Sequence, residues 1–92
     1  MPVGSHLSRT PESLHEEIRI IISRISRIAA SELEDAANVR EELGIDSLMA
    51  MEIIATCEKR FEIVIDESKY VEIETIGDFL CLVESLVIGK DR

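Results

Sequence analysis

Apolar residues recur at spacings of three and four along three separate stretches of this 92-residue chain. Such spacing places apolar side chains on one face of an α-helix, so each stretch predicts an amphipathic helix that must bury that face. The first stripe contains Leu14, Ile18, Ile21, Ile22, Ile25 and Ile28, and the last contains Ile76, Phe79, Leu80, Val83, Leu86 and Val87. The middle helix covers residues 47–61, and its candidate buried side and edge contain Leu48, Met51, Ile54, Ala55, Cys57, Glu58 and Phe61.

Polar residues near the ends of these stripes predict where the helices begin and end. Ser13 and Glu16 have the spacing of a capping box, and Thr75 with Asp78 repeats that spacing before the last helix. We therefore expect the first helix to begin near Ser13, and we expect Gly89 to end the last helix. Three arginines lie off the first stripe and are expected to face water: Arg19, Arg24 and Arg27.

The segments between the helices carry isolated apolar residues. The connection of residues 29–45 is long for a compact domain, and we expect Leu33, Val39 and Leu43 to hold it across the helical core. Residues 63–65 have a strand-like pattern without a partner strand, which favours an apolar loop packed on the core. Residues 66–71 predict a short helical turn. The predicted fold is all-α, a small four-helix bundle with three longer helices, a short third helix and a long first loop.

The length predicts one small domain, which we assign to residues 11–89. Residues 1–10 are polar and unpatterned, so they are expected to be disordered, and Gly4-Ser5-His6 resembles a cloning remnant. Residues 90–92 are expected to form a short C-terminal tail.

Acidic residues outnumber basic ones by 19 to 10, which gives a net charge of −9. Nucleic acid is therefore not an expected partner, since binding it requires clustered lysine and arginine. The acids are concentrated in residues 41–74, where only Lys59, Arg60 and Lys69 oppose them. Proteins with basic docking surfaces are better candidate partners, although the same charges would also keep a small protein soluble.

Neither a disulfide framework nor a metal site is indicated by the sequence. Cys57 and Cys81 lie in apolar helical runs, so both are expected to pack as small apolar side chains. A zinc site would need further ligands, and His6 and His15 do not supply them at suitable spacing. No stretch approaches the length of a membrane span and no signal-peptide pattern is present, so we expect a cytoplasmic protein. We also expect it to be a monomer.

The segment Glu42-Leu43-Gly44-Ile45-Asp46-Ser47-Leu48 joins the long loop to the second helix. Asp46 has a suitable side chain to cap that helix, which places Ser47 at the first helical position. There the hydroxyl would face solvent beside unpaired backbone N–H groups that favour an anion. A serine so placed is suited to carry a phosphate ester, although Asp-Ser-Leu alone is also an ordinary helix start.

The whole segment resembles the prosthetic-group site of acyl carrier proteins, in which Asp-Ser-Leu after Leu-Gly-x accepts 4′-phosphopantetheine. The resemblance extends over roughly residues 14–87, and residues 73–78 resemble the family's lead-in to its last helix. It implies that a phosphopantetheinyl transferase attaches the group from coenzyme A to Ser47, with Gly44, Asp46 and Leu48 supporting the site. The protein would then be a carrier of acyl thioesters rather than an enzyme, and it would serve fatty acid, lipid or polyketide-type biosynthesis.

The resemblance also implies surfaces for partners and cargo. Residues on or near the exposed edge of the second helix are expected to meet acyl-loading and acyl-processing enzymes: Asp46, Leu48, Met51, Glu52, Ala55 and Glu58. Candidates for an acyl pocket are Ile54, Phe61, Ile65, Tyr70 and Ile73. Plain core packing or solvent exposure is an alternative explanation for each of these positions.

Four residues depart from the family's pattern. Lys59 and Arg60 stand where acids are usual, Asp66 replaces a proline, and Tyr70 stands where a small residue is usual beside the acyl pocket. The departures suggest a specialised bacterial carrier with short, polar or unusual cargo. The main alternative is an acidic helical interaction module without a prosthetic group. A hydrolase is disfavoured because Ser47 lacks a Gly-x-Ser-x-Gly elbow, and an EF-hand because its calcium loop is absent.

Overall fold

The computed structural model describes residues 10–90, and its regular elements are helical. Four α-helices follow one another: α1 (Pro11–Ser26), α2 (Ser47–Phe61), α3 (Glu67–Tyr70) and α4 (Ile76–Lys90). A 3-10 turn, Ala30–Glu32, lies in the long first connection, and α1 packs against both α2 and α4. The predicted all-α bundle with a short third helix is therefore confirmed. The prediction of disorder for residues 1–10 falls outside the described residues, except for Thr10.

The apolar stripes of the helices meet in one aliphatic core. Its fully buried side chains are Ile18, Ile22, Leu33, Cys57, Ile76, Leu80 and Val83. Leu33 belongs to the long connection, and Val39 and Leu43 pack partly buried against the same core, as predicted. Residues 63–65 form a loop rather than a strand, with Ile63 and Ile65 buried and Val64 exposed. The predicted packing of both connections is thus confirmed.

The start of α1 differs from the prediction. Thr10 is the N-cap, and its side-chain oxygen accepts a hydrogen bond from the Ser13 backbone N–H at 3.0 Å. Pro11 suits the first helical position, where an N–H would have no partner, so the helix begins there. Ser13 therefore lies inside the first turn, where it donates its N–H to the cap instead of being the cap. The helix ends at Ser26, and Arg27 follows in the left-handed conformation with a φ of 69°.

Arg19 lies off the apolar stripe of α1, and the prediction that it would therefore face water was wrong. Its Nε donates to the Leu33 carbonyl oxygen at 2.9 Å, and its guanidinium group also binds the Asp35 carboxylate. Arg19 thus satisfies a backbone carbonyl next to a fully buried side chain. It ties α1 to the long connection, which the helical spacing of α1 alone could not indicate.

The long connection is also bound to the start of α4. The Val39 N–H donates to the Glu74 carbonyl oxygen at 2.9 Å, and the Ile76 N–H donates to the Ala37 carbonyl oxygen at 3.0 Å. The Gly77 N–H donates to the Asp35 carbonyl oxygen at 2.8 Å. Glycine suits this close approach, because an added Cβ would lie 3.1 Å from the same oxygen.

We expect Gly77→Ala to be about 1–3 kcal/mol less stable to unfolding than the Gly89→Ala control, because extra bulk forces packed neighbours to move. Gly89→Ala is the matched control in α4, since a Cβ there meets nothing within 4 Å. It should raise stability by up to about 1 kcal/mol through helix propensity. Urea unfolding followed by circular dichroism measures both changes. Equal stability of Gly77→Ala and Gly89→Ala would show that the contact with Asp35 is not tight.

The first turn of α4 carries the predicted capping box. The Asp78 N–H donates to Thr75 Oγ1 at 3.1 Å, while Asp78 Oδ2 accepts the N–H groups of Glu74 and Thr75 at 3.0 and 3.1 Å. At its other end α4 continues through Gly89 to Lys90, so the predicted end at Gly89 was wrong. A glycine inside the last turn costs some stability but does not stop a helix that packs on the core.

The hydrogen bonds from the Glu74 and Thr75 N–H groups hold the pKa of Asp78 below its ordinary value of 3.8, because they favour the charged carboxylate. With a lowered native pKa, the capping contribution is fully present above the ordinary value and is lost as the pH falls through the native one. Asp78→Asn should therefore reduce the loss of thermal stability on acidification below about pH 4. Melting curves across this range measure the effect, and an unchanged pH dependence would contradict it.

Candidate functional site

Ser47 is the first residue of α2, and its side chain is exposed. Asp46 is the N-cap, as predicted: its Oδ1 accepts the Met49 N–H at 2.9 Å, and its carbonyl oxygen accepts the Ala50 N–H at 2.9 Å. Within residues 10–90 the Ser47 hydroxyl has no hydrogen-bond partner. The cap therefore fixes the position of the serine while leaving its hydroxyl available to a reactant from solvent.

Two residues fix the direction in which the chain arrives at this serine. Gly44 has a φ of 66°, a left-handed value that glycine adopts without the strain of a side chain. Ile45 is buried, and its N–H donates to the Val39 carbonyl oxygen at 2.8 Å. The backbone is thus anchored in the core two residues before it delivers Ser47 to the surface.

Asn38 organises the turn that precedes this loop, a role that sequence reasoning missed. Its side-chain oxygen accepts the N–H groups of Arg40 and Glu41 at 3.0 and 2.8 Å. Its own N–H donates to Glu42 Oε1 at 2.7 Å, and its carbonyl oxygen accepts the N–H groups of Glu42 and Leu43. Glu42, the first residue of the segment that leads to Ser47, therefore closes this turn. An asparagine that begins a polar stretch is the signal that could have identified this turn.

The start of α2 suits an anion attached to Ser47. Asp46 occupies the N–H groups of Met49 and Ala50, which leaves those of Ser47 and Leu48 without an acceptor among the described residues. The aligned peptide dipoles of this 15-residue helix also place partial positive charge at its N-terminus. Both features favour a phosphate there, so the residues present fit a phosphodiester on the serine oxygen.

The residues that α2 buries differ from the expected set. Its buried residues are Ala50, Ile53, Ile54, Cys57 and Phe61, whereas Leu48 is 73% and Met51 49% exposed. Sequence reasoning missed Ala50 and Ile53 because α2 carries apolar residues on both sides. The spacing of three, four and seven from Ala50 was the signal that could have identified the buried side.

The residues proposed for partner recognition lie mostly on the opposite side of α2. Leu48, Met51, Glu52 and Ala55 are exposed there, beyond the serine. Glu58 is different: its Oε2 accepts the Ile65 N–H at 2.9 Å. The Glu58 carboxylate is therefore occupied in holding the loop that follows α2.

A small cavity lies between the helices next to the start of α2. Its free volume is about 40 Å³, which corresponds to roughly three water molecules. Of the five proposed pocket residues, Ile54, Tyr70 and Ile73 line it, with Tyr70 half-buried. Phe61 and Ile65 are buried in the core but are not among its lining residues.

The two cysteines differ in environment. Cys57 is buried, and burial, followed by the charge of Glu58, raises the pKa of its thiol to about 12. Cys81 is exposed, so the prediction that both would pack as apolar side chains was wrong for this residue, which lies off the buried stripe of α4. Among residues 10–90, no cluster of three or more His, Cys, Asp or Glu could hold a metal ion. No helix within that range is both long and apolar enough to cross a bilayer.

The helix order, the anchored loop and the exposed serine at a helix start together define a small helical carrier domain. The family model for the phosphopantetheine attachment site matches residues 16–82, and the chain therefore belongs to this family. Its expected prosthetic group is 4′-phosphopantetheine, and the start of α2 has the geometry and charge that such a group requires.

Solved and curated relatives are consistent with this family. A structure assigned as an acyl carrier protein from Mycobacterium tuberculosis superimposes with a TM-score of 0.73 and 29% identity, over 78% of this chain and 96% of that one. Non-reducing polyketide synthases from Aspergillus terreus and Penicillium roqueforti are 32% and 35% identical over 84% and 91% of this chain. The chain spans only 3% of the length of each of these synthases.

Proposed function

We propose that this protein carries acyl intermediates as thioesters on a 4′-phosphopantetheine arm joined to Ser47 and presents them to enzymes of polyketide-type biosynthesis. The observation that carries the proposal is the exposed Ser47 hydroxyl at the N-terminus of α2, inside the region that matches the attachment-site family. Similarity to non-reducing polyketide synthases supports a polyketide pathway over fatty acid synthesis.

In this proposal the chain positions cargo and catalyses no step. A phosphopantetheinyl transferase removes the proton from the Ser47 hydroxyl, whose oxygen displaces adenosine 3′,5′-bisphosphate from coenzyme A. Asp46 and the first turn of α2 hold the serine in place during this reaction. When bound, the arm supplies the thiol on which acyl groups are held. Acyl-loading and acyl-processing enzymes are the further partners, and the cytoplasmic location and monomeric state stay predictions.

Incubation of the full chain with coenzyme A and a broad-specificity phosphopantetheinyl transferase tests this function. Intact-mass spectrometry should show one added phosphopantetheine, and fragmentation should locate it on Ser47. A chain that stays unmodified with several transferases would contradict the carrier function. That result would favour the alternative of an acidic interaction module without a prosthetic group.

We expect Tyr70 to restrict the length of the acyl cargo, because its ring lines a cavity of only about 40 Å³. Long chains should remain outside the wild-type protein and enter Tyr70→Ala, while Tyr70→Phe keeps the ring as a matched control. The measurement is the change in the amide chemical shifts of Ile54 and Ile73 as the loaded chain is lengthened. Progressive shifts in the wild type, with no further effect in Tyr70→Ala, would contradict this role.

A further inference from the structure

The Arg40 side chain continues the pairing between the long connection and the segment that leads into α4. Asn38 and Thr75 form an antiparallel bridge, which places Arg40 opposite Ile73 two residues further along. At this pair a side chain makes the contact: Arg40 Nη1 donates to the Ile73 carbonyl oxygen at 3.3 Å. The Arg40 backbone N–H is occupied, because it donates to Asn38 Oδ1 at 3.0 Å. The guanidinium group therefore takes the place of a backbone donor.

The Ile73 carbonyl oxygen depends on this bond. Ile73 is 5% exposed, and within residues 10–90 its carbonyl oxygen accepts no hydrogen bond other than the one from Arg40. A backbone carbonyl withdrawn from water without a donor costs free energy comparable to a lost hydrogen bond. Loss of the Arg40 side chain would therefore favour a movement of Ile73 toward water.

The same bond links α3 to the rest of the domain. The backbone hydrogen bonds of residues 66–73 stay within that segment. Within residues 10–90, the bond from Arg40 is the one hydrogen bond that joins this segment to another part of the chain. Its effect reaches α3 directly, since the Ile73 N–H donates to the Tyr70 carbonyl oxygen at 3.0 Å. Arg40 therefore holds the end of α3 that carries Tyr70.

Arg40 joins two walls of the cavity beside α2. Val39, which precedes Arg40 in the long connection, lines this cavity, and so do Tyr70 and Ile73 on the α3 side. Because the free volume is only about 40 Å³, a longer acyl chain can enter only if these walls move apart. Moving residues 66–73 away from the long connection breaks the bond between Arg40 and Ile73.

We propose that Arg40 is a positioning residue for the acyl cargo: its bond to Ile73 keeps Tyr70 against the cavity and thereby sets the longest chain that the protein encloses. The proposal rests on the proposed carrier function. Arg40 does not itself line the cavity, so it acts through Ile73 and Tyr70 and not by contact with the cargo. A residue of the connection that leads to Ser47 would thus control which acyl chains remain exposed to enzymes.

Hydrogen exchange of the unmodified full chain tests the hold on α3. Arg40→Met keeps a long side chain but removes the donor. We expect the amides of residues 71–73 to exchange about tenfold faster in this variant, as for the loss of one hydrogen bond that must break before the segment opens. Arg24→Met is the matched control, because Arg24 is exposed and its side chain forms no hydrogen bond or ion pair within residues 10–90. It should leave these exchange rates within about twofold of the wild type.

Loading with saturated chains of increasing length tests the effect on cargo. A phosphopantetheinyl transferase transfers each chain to Ser47 from its acyl-coenzyme A, and the amide shifts of Ile54 and Phe79 report entry, since both residues line the cavity. In the wild type these shifts should stop changing at a limiting chain length. Arg40→Met should move this limit to longer chains, whereas Arg24→Met should not.

The double variant Arg40→Met/Tyr70→Ala separates positioning from a general loss of stability. If Arg40 acts through Tyr70, the double variant should have the same limit as Tyr70→Ala alone. A limit in Arg40→Met equal to that of the wild type, or a further extension in the double variant, would overturn the proposal. Unchanged exchange of residues 71–73 in Arg40→Met would overturn it as well, even if no transferase modifies the chain. Failure of modification would instead contradict the carrier function.

Discussion

Replacement of Ser47 by alanine should abolish phosphopantetheine incorporation without unfolding the protein. The Ser47 side chain is exposed and its hydroxyl has no hydrogen-bond partner within residues 10–90, so its removal leaves no buried polar group unsatisfied. The free energy of unfolding should change by no more than about 0.5 kcal/mol. Intact-mass spectrometry after incubation with coenzyme A and transferase should show only the unmodified chain.

Ser68 provides the matched control for this experiment. Ser68 is exposed in the first turn of α3, two residues after the aspartate cap, and Asp66 Oδ1 accepts both its N–H and its hydroxyl at 2.9 Å. Ser68→Ala should therefore accept one phosphopantetheine as the wild type does. Incorporation into Ser47→Ala, or its loss in Ser68→Ala, would contradict the assignment of the attachment site.

Leu33→Ala should cause the largest loss of stability that we expect from a single substitution outside the helices. Leu33 is 0% exposed, and truncation of a fully buried leucine costs about 2–5 kcal/mol through lost burial and the cavity left behind. For a domain of this size the midpoint of thermal unfolding should fall by at least about 8 °C. Calorimetry or circular dichroism measures the change.

Leu48→Ala is the matched control: it makes the same leucine-to-alanine change at a side chain that is 73% exposed. It should change the free energy of unfolding by no more than about 0.5 kcal/mol. If the two variants unfold at similar temperatures, the long connection does not depend on Leu33, and the described packing of this loop is wrong.

Features set by local spacing were predictable from the sequence. The Asp46 cap, the Thr75–Asp78 capping box and the short helix after Asp66 each depend on residues within three or four positions of one another. The start of α1 shows the limit of such rules, since Thr10 and Ser13 are both suitable caps. Pro11 fits the first helical position, and this selects Thr10 rather than Ser13 as the cap.

Contacts between distant parts of the chain were not predictable. The bond from Arg19 to the Leu33 carbonyl oxygen joins α1 to a loop, and the bond from Ile65 to Glu58 joins a loop to α2. Periodicity identifies a face but does not choose among acceptors that folding brings near it. The buried side of α2 was ambiguous for a related reason, because Leu48 and Ile54 are both apolar and only the packed bundle determines which of them is covered.

The backbone pairing between the long connection and the start of α4 has a consequence for which segment of the domain opens more easily. Asp35, Ala37 and Val39 share hydrogen bonds with residues 74–77, whereas α3 is held by backbone bonds among residues 66–73. Opening α3 therefore breaks fewer long-range bonds than moving the segment that ends at Ser47. Ser47, the proposed attachment residue, is therefore held more firmly than α3. In the proposed function the arm would thus keep a constant direction, and the limit that Tyr70 is expected to set on cargo length would depend on how often α3 opens.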